Sequence, residues 1–164
     1  MEDQTVKINR PTFLTVLCIL SFVGLGWDLL NSLVSIIWGT ILSPFLSFIQ
    51  TQMETGLNEA STADPAAAFF IQNFVEAAMK LIENLPLIGA LFLICDGIAL
   101  AGVILMWKLK RLGFYLYSGA KVVLIFVPLM VIGSNLLSTI MSICIFIGAA
   151  LFITLYAVNF KHLT

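Results

Sequence analysis

The feature that most constrains this chain is a pair of long apolar segments joined by a short basic turn. Apolar residues dominate 86–106 and again 112–132. Each stretch is close to the length, about 20 residues, that a helix needs to cross the hydrocarbon core of a bilayer. Lys108, Lys110 and Arg111 fill the turn between them. Because basic residues stay on the cytoplasmic side of a membrane, the two segments predict a transmembrane hairpin with a cytoplasmic basic turn.

The composition excludes a water-soluble domain. The chain is 60% hydrophobic and 10% charged, and its mean hydropathy is +1.07. A soluble domain carries about 25% charged residues, so a water-facing surface cannot be assembled from this chain and the bilayer must be its solvent. At 164 residues the chain has room for a few spanning helices, and we expect a single transmembrane domain over 1–164.

Two further apolar runs complete four predicted spans. We expect the spans at about 12–38, 86–107, 112–132 and 136–158, with a long loop over 39–85. The first run is too long for the hydrophobic region of a signal peptide and no A-x-A-like site follows it, so we expect an uncleaved anchor. The expected fold is all-α: an integral membrane four-helix transmembrane bundle.

The basic residues outside these spans are distributed asymmetrically. All but Lys80 fall on one side: Lys7, Arg10, Lys108, Lys110, Arg111 and Lys161. The positive-inside rule therefore predicts a multi-pass cell membrane protein with both termini cytoplasmic and the long loop extracytoplasmic. Trp107, Tyr115 and Tyr117 flank the basic turn and are predicted to form an interfacial aromatic belt.

The long loop contains one predicted amphipathic helix. Asp64 and Pro65 suit the N-cap and the first position of a helix, and apolar residues recur at helical spacing over 65–84. Before it, Pro44 is expected to kink or end the first helix, and Gly56 to break the polar segment. The amphipathic helix is expected to lie on the outer membrane surface or against the bundle, either packed on its own chain or recruiting a partner.

Three ionisable side chains lie inside predicted spans: Asp28, Asp96 and Lys121. We call these three residues the charge cluster. Each group costs roughly 2.5–3.5 kcal/mol at the centre of a membrane helix, so three unpaired groups would destabilise the bundle. Asp96 and Lys121 each lie about ten residues from the basic turn, near the bilayer midplane at 1.5 Å per residue. We therefore expect the three side chains to face one another, with Asp28 nearer the outer side.

A polar and small-residue stripe on the first span includes one member of this cluster. Steps of three and four residues place the stripe on one helical face: Ser21, Gly24, Asp28, Asn31, Ser32 and Ser35. Such a face is expected to be buried against other helices in a membrane.

Two interpretations of the charge cluster remain open. It is either an ion pair that fixes helix order and register, or a proton- or cation-coupled site in a polar cavity, since intramembrane acids mark such pathways. One lysine cannot neutralise two carboxylates. The surplus carboxylate is therefore expected to be protonated, hydrated or shared through a coupled titration.

Other chemistry finds little support in the sequence. Cys18, Cys95 and Cys144 each lie in an apolar segment without a C-x-x-C motif, which favours a packing role. His162 is the single histidine, so a zinc site lacks ligands. Residues 118–121 match S-x-x-K, but the companion S-D-N and K-T-G motifs are absent. We expect no enzyme, no catalytic residue, no metal, no cofactor and no nucleic-acid partner.

Two stretches carry a resemblance. Residues 10–20 (RPTFLTVLCIL) and 106–119 (MWKLKRLGFYLYSG) resemble the openings and central hairpins of uncharacterised small four-span bacterial membrane proteins. The resemblance implies a bacterial inner-membrane protein and implies no activity or functional residue.

These observations favour a non-enzymatic accessory or assembly component in the lipid bilayer. It would contact a membrane-protein partner or a second copy through its helix faces or its acidic loop. The alternative is a small proton- or cation-coupled transporter or channel that uses Asp28, Asp96 and Lys121. A polar cavity around these three residues, continuous with one membrane side, would favour transport. A dry, packed bundle with an exposed apolar patch on the loop helix would favour partner binding.

Overall fold

A computed structural model of the chain describes residues 12–61 and 65–160. This part of the chain is built from six α-helices and contains no strand. The helices are α1 (Thr12–Leu42), α2 (Leu46–Ser61), α3 (Pro65–Glu83), α4 (Leu85–Trp107), α5 (Arg111–Val131) and α6 (Leu136–Val158). The all-α fold expected from the sequence is confirmed.

Four helical segments are long and apolar enough to cross a membrane. They are α1 with its continuation as far as Gly56, and α4, α5 and α6. The chain is therefore a multi-pass membrane protein built as a four-helix bundle. The predicted second, third and fourth spans agree with α4, α5 and α6 to within one residue. α1 runs beyond the predicted end at residue 38, because no proline interrupts the chain between its start at Thr12 and Pro44.

The spanning helices pack in chain order. α1 lies against α4, α4 against α5 and α5 against α6, whereas α1 and α6, at the two ends of this series, touch little. The core near the basic turn is formed by buried side chains from all four spanning helices, among them Leu17 of α1, Met106 of α4, Tyr117 of α5 and Tyr156 of α6. The bundle is thus closed around a packed core at its basic-turn end.

Glycines allow α4 to approach both of its neighbours. A Cβ added at Gly102 would lie 2.8 Å from the carbonyl oxygen of Gly113 in α5, and a Cβ added at Gly113 would overlap the carbonyl oxygen of Gly102. A Cβ added at Gly89 would lie 2.9 Å from the carbonyl oxygen of Ser32 in α1. Small residues at such crossings allow close van der Waals contact between membrane helices. These contacts set the register of α4 against α5 and α1.

α4 ends at the basic turn in a Schellman motif. The Leu109 N–H donates to the Met106 carbonyl oxygen at 2.9 Å, and the Lys110 N–H donates to the Leu105 carbonyl oxygen at 2.9 Å. Leu109 adopts a φ of 62°, a left-handed conformation that glycine usually takes at this position. That conformation costs about 1–2 kcal/mol for a non-glycine residue. Burial of the Leu109 side chain in the core offsets this strain.

The segment predicted as a loop over 39–85 is largely helical. A 3-10 turn, Ser43–Phe45, joins α1 to α2, so Pro44 interrupts the helix as expected. α2 then continues through Gly56, and the break expected there is wrong. A glycine inside a helix costs about 1 kcal/mol relative to alanine, and the packing of α2 against α3 offsets this cost.

α3 is the predicted amphipathic helix, and it begins at Pro65 as expected. Asp64, its expected N-cap, lies outside the described residues. α3 packs against α2 and also contacts α6, which agrees with the interpretation that places it against the bundle. On its exposed face, Lys80 Nζ lies 2.8 Å from Glu76 Oε1, and this hydrogen bond and the lysine charge lower the pKa of Glu76.

Candidate functional site

The charge cluster brings together side chains from three spanning helices. Lys121 Nζ of α5 lies 2.9 Å from Asp96 Oδ1 of α4 and 3.3 Å from Asp28 Oδ2 of α1. The contact expected from the sequence is therefore present. The environments of the three groups differ, because the Asp96 side chain is 1% exposed and the Lys121 side chain 14%, whereas that of Asp28 is 46% exposed.

Helix register explains why Asp96 and Lys121 meet. Asp96 lies six residues before Gly102, and Lys121 lies eight residues after Gly113, on the arms of the same antiparallel hairpin. Because Gly102 and Gly113 are in contact, the two charged residues differ in height by two residues, or about 3 Å. A lysine side chain easily spans this difference. The close glycine contact therefore positions the ion pair.

The charge cluster lies in the wall of a half-open cavity of about 630 Å³, lined mainly by α1, α4, α5 and α6, with Leu81 of α3 at its edge. The whole predicted stripe of α1 lines this cavity: Ser21, Gly24, Asp28, Asn31, Ser32 and Ser35. The expectation that helices bury the stripe is only partly met, because Ser21 and Ser32 are buried while Gly24 and Asn31 are exposed. The reason is that α1 packs against α4 and has little contact with α6 on its other side.

The cavity opens sideways between α1 and α6. Gly24 and Asn31 on α1 and Cys144 and Gly148 on α6 all line the cavity, and all four residues are exposed. We call these four residues the lips of the opening. Since α1 and α6 are both spanning helices, an opening between them faces lipid.

Two tyrosines close the cavity at its basic-turn end. The Tyr156 hydroxyl of α6 donates to Ser21 Oγ of α1 at 2.8 Å, with the Leu17 carbonyl oxygen 3.3 Å away. The Tyr117 ring of α5 packs edge-on against the Tyr156 ring at 5.3 Å between centroids, and both residues are buried. The assignment of Tyr117 to an interfacial belt is therefore wrong, whereas Tyr115 is 61% exposed.

Sequence reasoning missed Tyr156, and a signal for it was available. A tyrosine inside an apolar span needs a hydrogen-bond partner for its hydroxyl, and the stripe of α1 offers serine hydroxyls. Tyr117 was misassigned because it lies only two residues from Tyr115 and six from Arg111. On a helix those two tyrosines point in different directions, so proximity to the turn does not place both at the membrane interface.

Replacing Tyr156 with phenylalanine is expected to weaken the closure between α1 and α6 without unfolding the bundle. The substitution keeps the ring contact with Tyr117 and removes the hydrogen bond to Ser21, so the free energy of unfolding should fall by about 1 kcal/mol. Thermal unfolding in detergent would measure this change. Tyr115→Phe, at an exposed site, is the control and should unfold at the wild-type temperature. A Tyr156 variant that also matches wild type would contradict the assigned contact.

Three buried polar atoms lack a hydrogen-bond partner within the described part of the chain: Asp96 Oδ2, Ser118 Oγ and Ser142 Oγ. Asp96 Oδ2 belongs to a residue that lines the cavity, so the cluster retains an unused acceptor. Ser118 Oγ does not bond to Lys121, although the S-x-x-K spacing would allow it. The lysine ammonium is engaged by two carboxylates instead.

The remaining predicted residues lie away from the cavity or outside the described part. Lys108 and Lys110 are exposed at the basic turn, and the Arg111 guanidinium lies 5.5 Å from the centroid of the Phe160 ring. Lys7, Arg10, Lys161 and His162 lie outside the described residues. Within the described ranges, no group of three or more His, Cys, Asp or Glu side chains could hold a metal ion.

Comparison of the chain with models of protein families, with curated proteins and with solved structures finds no match. Chemically, the site offers one accessible carboxylate, one buried ion pair and a cavity lined mainly by apolar side chains. Such a site can bind a proton or a cation at the carboxylate and hold an apolar group beside it.

Proposed function

We propose that this protein is a small proton- or cation-coupled membrane transporter whose coupling site is the charge cluster. The observation that carries the proposal is the half-exposed carboxylate of Asp28, which faces a cavity between spanning helices while sharing Lys121 with the buried Asp96. An ion pair that only fixed helix register would need Asp96 and Lys121 alone. A second carboxylate, and an open cavity that carries the polar stripe of α1 beside it, favour the transporter alternative over the accessory component.

Asp28 is the member of the cluster that a ligand can reach. Two carboxylates share one ammonium, so the ionised cluster carries one surplus negative charge. Either protonation of Asp28 or binding of a cation beside it would remove that surplus. Because both events use the same carboxylate, they compete, and this competition is the physical requirement for exchanging a proton against a cation.

We propose the orientation that the basic residues predict. Lys108, Lys110 and Arg111 would then lie in the cytoplasm of a bacterial inner-membrane protein, together with both termini. In this orientation the contact between Tyr156 and Ser21 closes the cavity toward the cytoplasm. Transport would require this contact to open and the outer part of the cavity to close in a second conformation. In this role the protein is not an enzyme.

A specific observation also favours the accessory or assembly role as a second candidate. Phe69, Phe70 and Phe74 are 65%, 69% and 56% exposed on α3, the helix that leads back toward the bundle. Exposed aromatic side chains in one region are typical of a contact surface. A membrane-protein partner or a second copy of the chain would bind there, and this role is compatible with transport.

Proton movement in proteoliposomes tests the coupling proposal. With a pH dye inside, gradients of Na⁺, K⁺, tetraethylammonium and dodecylammonium are imposed in turn, and protein-free liposomes give the background. We expect at least one cation to drive a protein-dependent pH change that Asp28→Asn abolishes. Glu83→Gln, at an exposed acid outside the cavity, should leave the change intact. No protein-dependent signal with any of the four cations would contradict the proposal.

The exchanged variant Asp96→Lys/Lys121→Asp separates the two interpretations of the cluster. A purely architectural ion pair should tolerate the exchange, because the opposite charges still meet. A coupling site should not, because the exchange moves the ammonium to α4 and alters its distance from Asp28. We expect a folded but inactive variant. A variant with full activity would show that the cluster only fixes helix order and register, and it would contradict the coupling proposal.

A further inference from the structure

We infer that the ligand of the cavity is an amphiphile with a protonated amine head and a hydrocarbon tail, which enters from the lipid between α1 and α6. This inference rests on the proposed function, because it names the substrate class of the same site. It goes beyond that function by fixing the chemistry of both ends of the ligand and its route. The head, the tail and the route depend on different residues.

The head group is assigned by the charge cluster. Asp28 presents a carboxylate that is 46% exposed, and Asp96 Oδ2 is a buried acceptor without a partner. A primary ammonium group carries three donors, so it can bind the exposed Asp28 carboxylate beside Lys121. An anionic head would meet two carboxylates and only one ammonium. A neutral head would leave the surplus charge in place, and an unpaired charge in an apolar setting is costly.

The tail is assigned by the rest of the cavity wall. Apart from the cluster and the stripe of α1, the lining is dominated by apolar side chains, among them Leu25, Phe92, Leu124, Ile145 and Phe152. A cavity of about 630 Å³ is within the range of sites that enclose most of a drug-sized ligand. A small inorganic cation would leave this apolar space unfilled, whereas a hydrocarbon tail would occupy it.

The residues that we call the lips indicate the route by which the ligand enters the cavity. Gly24 and Gly148 lie on opposite sides of the opening, and a Cβ added at either position would meet no atom within 4 Å. A larger side chain at Gly148 would therefore enter open space and narrow the passage without disturbing the packed helices. Gly119 on α5 also has open space around its Cβ position, but it does not line the cavity. Gly148, which lines the opening, and Gly119, which does not, therefore form a matched pair for a test of the route.

The test is photolabelling in lipid nanodiscs with a diazirine-bearing dodecylamine. Competitors of the same chain length are dodecylamine, dodecanol and dodecanoate, and tetraphenylphosphonium is a cation without a chain. We expect labelling of α1 and α6 that dodecylamine displaces, while the other three compounds displace at least roughly tenfold less well, since a charged hydrogen bond and the tail both contribute. Asp28→Asn should weaken displacement by dodecylamine to a similar degree.

The glycine variants test the entry route in the same assay. Gly148→Leu should slow the appearance of labelling on α6, and Gly119→Leu should match wild type. Equal rates for the two variants would overturn entry between α1 and α6. Crosslinking of one chain to another at the lips, in place of amine labelling, would assign the opening to a second copy and also overturn the inference.

The outcomes of labelling and of proton flux distinguish the inference from the proposed function. Saturable amine labelling without any proton movement would support the amphiphilic amine as the ligand and contradict the proposed transport function. Proton movement driven by an inorganic cation, without saturable amine labelling, would keep transport and reject the ligand class. Equal displacement by dodecylamine, dodecanol and dodecanoate would overturn the assigned head group, and equal displacement by tetraphenylphosphonium would overturn the assigned tail.

Discussion

Replacing Lys121 with methionine is expected to lower the free energy of unfolding by about 3–5 kcal/mol, the range found when one partner of a buried ion pair is removed. The Asp96 side chain is 1% exposed, and its Oδ2 atom already lacks a hydrogen-bond partner among the described residues. Without Lys121, its other oxygen loses the ammonium 2.9 Å away. Methionine keeps most of the side-chain volume, so the change isolates the charge. Reversible unfolding in mixed micelles would measure it.

The structure provides a matched control for this substitution. Lys80 also forms an ion pair, with Glu76, but both side chains are at least half exposed. Lys80→Met should therefore leave the unfolding transition unchanged within error, because exposed pairs contribute little. The double variant Asp96→Asn/Lys121→Met should regain part of the lost stability, since it removes the uncompensated charge. Equal unfolding free energies for Lys121→Met and Lys80→Met would contradict the buried-pair interpretation.

Replacing Gly113 with valine is expected to cause the second large effect, by forcing α4 and α5 apart. The added Cβ would overlap the Gly102 carbonyl oxygen and lie 2.6 Å from the Met106 nitrogen, and backbone atoms cannot move aside as a flexible side chain can. Overpacking of this kind costs about 1–3 kcal/mol or more. Separation of the two helices should also lengthen the contact between Asp96 and Lys121.

Thermal unfolding in detergent would measure the effect at Gly113, with Gly119→Val as the control in the same helix. A Cβ added at Gly119 would meet no atom within 4 Å, so the unfolding temperature of Gly119→Val should remain close to that of wild type. If the two valine variants unfolded at the same temperature, the close contact between Gly102 and Gly113 could not be what sets the register of α4 and α5.

The spans and the meeting of the charge cluster were predictable from local physical rules. Long apolar runs must be helical in a bilayer because backbone groups have no water to bond to. The cost of Asp96 and Lys121 in lipid, together with their similar distances from the basic turn, predicts that they pair. The pairing of Asp96 with Lys121 depends on a single hairpin, in which the number of residues from the turn fixes the height of each side chain, whereas the contact with Asp28 also needs α1 to pack beside it. This is why the pairing within the hairpin holds without knowledge of how the other helices pack.

The cavity and its closure were not predictable in the same way. The stripe of α1 indicates that these polar groups should be buried against another helix. It does not indicate whether α6 packs against them or leaves a gap. That choice depends on packing between helices that are distant in sequence. Gly56 shows the same limit, because an intrinsic preference against helix is overridden when α2 packs against α3. Tyr156 could be recognised as needing a partner, but Ser21 becomes that partner only through the fold.

The central claim is that the Lys121 ammonium contacts the carboxylates of both Asp28 and Asp96 inside the membrane. Solid-state NMR of the protein in lipid bilayers, with ¹⁵N-lysine and carboxyl-¹³C-aspartate, measures these contacts directly. The Lys121 Nζ resonance is identified by its loss in Lys121→Met. We predict strong dipolar dephasing of this resonance by aspartate carboxyl carbons, reduced in part by Asp96→Asn and in part by Asp28→Asn. A Lys121 resonance without dephasing in the wild-type protein would contradict the account.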